Sequence, residues 1–95
     1  MIIRIVQMTL DPMKVEDFKQ IFDESKEKIK AFHGCRLVEL WQDTKNSNVF
    51  FTYSHWDNEA FLDHYRGSDL FKDVWSRTKA LFADKPKAFS LNKIG

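Results

Sequence analysis

The sequence predicts a small α+β domain of ferredoxin-like pattern, β-α-β-β-α-α-β, in which a four-stranded antiparallel sheet carries its helices on one face. Three observations predict it. Four runs rich in β-branched and aromatic residues read as strands, apolar residues recur at helical spacing after the first and third of them, and the second and third are joined only by a short polar turn. A chain of 95 residues fits one domain, 1–95, with no room for a second.

The first strand runs from about Ile2 to Leu10, with Ile2, Val6 and Leu10 on one face and Ile3 and Ile5 on the other. A strand apolar on both faces is one that is covered on both. Asp11-Pro12 starts a helix, because Asp caps free amides and Pro is tolerated in the first turn. Val15, Phe18, Ile21, Phe22, Ile29 and Phe32 form its inward stripe, and Gly34 is expected to cap its C-terminus.

Cys35 to about Asp43 is the second strand, with Leu37, Glu39 and Trp41 alternating against Val38, Leu40 and Gln42. Residues Thr44 to Asn48 make the turn of a hairpin whose other arm is Val49 to Trp56. Here Val49, Phe51, Tyr53 and His55 oppose Phe50 and Trp56. A short helix from Asp57 to Gly67 follows, its entry stapled by Trp56 and Phe61. Ser68 or Asp69 caps the next helix, with Leu70, Phe71, Val74, Trp75, Leu81 and Phe82 as its inward stripe. Asp84-Lys85-Pro86 breaks it, and Lys87 to about Ile94 is the last strand.

Nine Phe, three Trp and two Tyr make 15% of the chain, a load that needs a core, a pocket or an interface to cover it. One bare sheet face, apolar in the first and third strands, is best covered by a second copy laid sheet against sheet. A homodimer is therefore expected. The net charge of +1, with no basic block, argues against nucleic acid as a partner. No stretch is long and apolar enough for a membrane span. Cys35 is the single cysteine, so no internal disulfide is possible, and a cytoplasmic location is expected. No pair of histidines at helical spacing, CxxC or glycine-rich phosphate loop is present, so metal and nucleotide chemistry lack their motifs. Arg4, between Ile2 and Val6, needs an acid or an anionic ligand. Glu39 across the dimer is the expected acid, and an anionic ligand is the alternative.

The stretch Phe50-Phe51-Thr52-Tyr53-Ser54-His55-Trp56, followed by Asn58-Glu59-Ala60-Phe61 and His64, resembles the antibiotic biosynthesis monooxygenase (ABM) family. The Phe32-His33-Gly34-Cys35 turn and Leu70-Phe71 are similar to it too, and the likeness spans Ile2 to Ile94. The resemblance implies a dimeric α/β barrel built from ferredoxin-like subunits, each holding a pocket between sheet and helices. It implies a monooxygenase that oxidises a small planar aromatic substrate, a quinol or polyphenol, with O2 and no cofactor. The alternatives are a haem-binding or haem-degrading enzyme and a non-catalytic small-molecule module. It implies His64 as the catalytic base, and Trp56, Tyr53, Trp75 and Tyr65 as substrate-binding walls. His55 is expected on the opposite face from Trp56, and His33 on the surface. Haem degraders of the family resemble one another in a first-strand Asn and a later helical His, where this chain has Val6 and Trp75. Thr52 stands where some polyketide oxygenases have an Asn.

Overall fold

A computed structural model describes residues 1–95. Its strands are β1 (Ile2–Thr9), β2 (Cys35–Gln42), β3 (Val49–Trp56) and β4 (Lys87–Leu91), and its helices are α1 (Val15–Lys30), α2 (Glu59–Arg66) and α3 (Asp69–Lys79). The sheet order is β2-β3-β1-β4 and every pairing is antiparallel. This is the expected ferredoxin-like α+β fold, with all three helices on one face of an open sheet.

Asp11 accepts from the backbone N–H of Met13 ahead of a single 3-10 turn, Pro12–Lys14, and α1 follows directly. The helix ends at Lys30, before the expected stop at Gly34. Gly34 serves a different purpose. The Cys35 N–H donates to the Phe32 carbonyl, closing a β-turn with Gly34 at its third position, where φ is +87°. A residue at positive φ in that position is the requirement of a type II turn. The Gly34 carbonyl then accepts from the Asp57 N–H at 2.8 Å, tying the turn to the β3–α2 junction.

The same junction corrects the expected entry of α2. Its cap is Asn58, which accepts from the Phe61 N–H, so Trp56 and Phe61 do not occupy the staple positions. Asp57 instead receives two hydrogen bonds from Arg36, of 2.7 and 2.8 Å, reaching from the bulged start of β2. At the hairpin turn Asp43 accepts from the backbone of Lys45 and Asn46. These donors hold both carboxyls below their ordinary range: Arg36 acts on Asp57, and the turn amides on Asp43. A lowered folded-state pKa contributes stability above the unfolded value, and this is lost as pH falls through the folded value. Asp57→Asn is therefore expected to make thermal stability less sensitive to acidification below about pH 4. Melting curves across that range check it, and an unchanged profile would show the ion pair is not linked to folding.

Even-numbered residues of β1 and β3 face the helices, and odd-numbered ones face the open side. On the helix side the core forms two clusters. Ile29, Val38, Trp56, Leu62 and Tyr65 make one, and Met8, Leu10, Phe18 and Phe50 make the other. Between them the interior is not filled. Of the two expected caps it is Ser68 that caps α3, accepting from the Phe71 N–H. The helix stops at Lys79, short of the expected breaker, and Phe82 bridges to Leu10 beyond it. On the open side Trp41, Phe89 and Leu91 remain close to half exposed, at 46%, 46% and 45%.

Candidate functional site

The gap between the two core clusters is a cavity of about 300 Å³, and fourteen of its twenty lining residues are hydrophobic. That volume stands at the low end of ligand pockets, ~300–1,000 Å³. Its floor is the helix-facing side of β1 and β3, and its roof is α1, α2 and α3. Ala88 lines it yet is exposed, because no helix covers β4. The cavity therefore opens along that edge of the sheet.

One wall is a run of aromatic rings. Trp56 stacks on Tyr65 with centroids 5.0 Å apart, Tyr65 meets Phe71 edge-on at 5.3 Å, and Phe71 lies parallel to Trp75 at 5.9 Å. Trp56 is 1% exposed, and its indole N–H donates to Ser54 Oγ at 3.0 Å, so its polar edge is satisfied within β3. Tyr65 differs. Tyr65 lines the cavity, and its hydroxyl, which makes no side-chain hydrogen bond to the protein, is not fully sealed. Burial pushes its phenol well above the ordinary value, with Cys35 adding to the effect, so the hydroxyl is protonated at neutral pH.

Two guanidiniums join this apolar lining, from Arg4 on β1 and Arg66 at the end of α2. Arg4 donates to Ser90 Oγ at 2.8 Å. It faces the helices while Glu39, paired with Tyr53, faces the open side, so the expected Arg4–Glu39 contact is ruled out by strand parity.

The structure brings Trp56, Trp75 and Tyr65 together on the cavity wall, and it leaves Tyr53 and His64 elsewhere. Tyr53 is an odd residue of β3. On the open face it stacks on Trp41 at 4.2 Å and shares a 2.7 Å hydrogen bond with His55 Nε2. His64 is exposed, with its ring 5.5 Å from that of Phe32. The reason is helical phase. Leu62, Tyr65 and Arg66 turn inward at i, i+3 and i+4, and two residues from Leu62 is about 200° around the helix. His33 packs edge-on against Phe61 at 4.8 Å, so none of the three histidines lines the cavity. Arg66, which is exposed, is a charged lining residue that the sequence does not single out, although the phase of α2 signals it.

A model of the family described as antibiotic biosynthesis monooxygenase matches residues 1–76. The fold is similar to a crystal structure of an antibiotic biosynthesis monooxygenase, with TM-score 0.93 and 19% identity over 100% of both chains. It is also similar to a conserved protein of Methanosarcina mazei Go1, with TM-score 0.91 and 22% identity over 98% of this chain and 93% of that one. A Pseudomonas aeruginosa protein gives TM-score 0.87 and 21% identity over 99% and 94%. No curated protein matches the sequence at a significant level. The structural likenesses carry the fold, and the family match supports a function of monooxygenase type. With four-fifths of its length under the family model, the chain belongs to the antibiotic biosynthesis monooxygenase family.

Proposed function

We propose that this protein is a monooxygenase that oxidises a small planar aromatic substrate, a quinol or polyphenol, with O2 and without a bound cofactor. The observation that carries this reading is the aromatic-walled cavity lined by Trp56, Tyr65, Phe71 and Trp75. A flat ring inserted beside Trp56, Tyr65 and Trp75 sheds its water, and the protonated Tyr65 hydroxyl donates to a substrate oxygen. An ionised quinol gives one electron to O2, and the resulting radicals join in a C–O bond. The O–O bond then breaks, leaving one oxygen on the ring and releasing the other as water. Overall, quinol plus O2 yields hydroxyquinone plus water, and the substrate supplies all four electrons.

The lining does not fit haem. It offers no imidazole or thiolate, and its one thioether, Met8, is packed with Phe18 and Phe50. No helix is long and apolar enough to cross a membrane, and Cys35 is a free thiol, which suits a reducing cytoplasm. The open sheet face, with Trp41, Phe89 and Leu91 exposed beside Ile3, Ile5, Leu37 and Phe51, supports a homodimer through that face. A mass of one chain in solution at micromolar concentration contradicts it.

Oxygen uptake with a panel of naphthohydroquinones and anthrone-type phenols tests the activity. His64→Ala is expected to stay within about twofold of wild type, because the ring faces away from the cavity. Tyr65→Phe is expected to lose about tenfold. A large loss in His64→Ala would return that residue to the site. Binding without uptake would make the chain a non-catalytic module.

A further inference from the structure

Arg4, half-buried, and Arg66, exposed, place two like charges at the border of a largely apolar cavity. The ion pairs of the fold use Lys19, Arg36 and Arg77, and neither Arg4 nor Arg66 belongs to one. Arg4 spends one donor on a neutral hydroxyl, Ser90 Oγ at 2.8 Å, and Arg66 makes no side-chain hydrogen bond. A guanidinium carries five N–H donors in a planar fork, so most of this donor capacity is left to water or to a ligand. The two residues come from different elements and converge. Arg4 is the third residue of β1, beside the uncovered β4, and Arg66 is on the inward phase of α2, with Leu62 and Tyr65.

Resting on the cavity as the substrate site, we propose that Arg4 and Arg66 form an anion subsite that receives an oxyanion, carboxylate or ionised phenol, carried by the aromatic occupant. The aromatic wall takes the ring, and the two guanidiniums take the charged edge. Planar bidentate recognition of an oxyanion is the geometry to which arginine is suited. Burial, and then the charge of Arg66, push the Arg4 guanidinium below its ordinary value, while Asp63, one turn before Arg66, acts in the opposite direction. An anion brought to this pair relieves the repulsion. The subsite also gives the proposed chemistry a feature that His64 does not provide. Holding the phenolate form favours ionisation of the substrate, with the proton passing to water at the mouth, and the ionised form is the one that reduces O2.

Titration of tryptophan fluorescence with 2-naphthoate and with its neutral analogue 2-naphthamide tests the subsite. The naphthoate is expected to bind about tenfold more tightly or better, with the preference falling as salt is raised. Arg66→Gln and Arg4→Gln are each expected to remove most of that preference while naphthamide affinity stays within about twofold. The salt series on the unaltered protein keeps the test open if the Arg4 variant folds poorly. Titrating 2-naphthol in the range below its free pKa separates the two sources of charge. A bound naphthol that ionises at lower pH than the free one assigns the subsite to phenolates, and an unshifted naphthol with tight naphthoate assigns it to carboxylates. Equal affinity for naphthoate and naphthamide would overturn the anion subsite and leave the cavity reading standing. Failure of every naphthalene probe to bind would remove both.

Discussion

Alanine at position 34 is expected to destabilise the protein by about 3 kcal/mol or more, lowering the melting temperature by roughly 15 °C. Two costs add. The backbone at Gly34 has φ of +87°, a region that an L side chain rarely adopts. A Cβ built there falls 2.3 Å from Phe61 Cγ and 2.5 Å from Phe61 Cβ, so the collision involves the root of the ring and not its flexible end. The turn cannot shift to relieve it, because the Gly34 carbonyl is bonded to the Asp57 N–H. Thermal melts of Gly34→Ala alone and with Phe61→Ala separate the terms. The alanine substitution should cost less in the Phe61→Ala background, where the ring atoms are gone and the backbone strain and the close contact with Cβ of residue 61 remain. A single variant melting within a few degrees of wild type would contradict the account of this turn.

Ala88→Trp is expected to lower turnover by about a hundredfold or more without loss of stability. Ala88 stands opposite Val6 in β4, on the helix-facing side, lining the cavity while exposed. A large ring there occupies the mouth, and tryptophan is well tolerated in a strand. The fold loses no contact, and filling empty apolar space tends to stabilise it. Oxygen-uptake rates and melting temperatures on the same preparation check the pair of effects. Full turnover with a correctly folded Ala88→Trp protein would place the chemistry outside this cavity.

Much of the architecture is legible because its signals are local. Strand alternation, the polar hairpin turn and the Ser68 cap each depend on a few neighbouring residues, and all three stand where they were read. The misplaced details depend on phase. Tyr53 and Trp56 are three apart in one strand, so parity already puts them on opposite faces, and only Trp56 reaches the cavity. Leu62 and Tyr65 set the inward phase of α2, which turns His64 outward and Arg66 inward. The role assigned to His64 comes from family likeness, and the helix period places its side chain off the cavity wall. Arg4 had two readings, and parity removes the one that relied on Glu39. The α3 stripe of Leu70, Phe71, Val74 and Trp75 is legible as inward-facing, but Phe71, Val74 and Trp75 stay half-buried where they bound a void. A void is the space left by many side chains at once, and no local pattern encodes it.

The most direct measurement is the fate of 18O2 in a single reaction of the purified protein with a naphthohydroquinone that is consumed. The account predicts that one atom of 18O enters each product molecule, the other appears in water, and no hydrogen peroxide accumulates. Oxygen uptake that yields unlabelled quinone and peroxide, or no uptake with any substrate that binds the cavity, would contradict it.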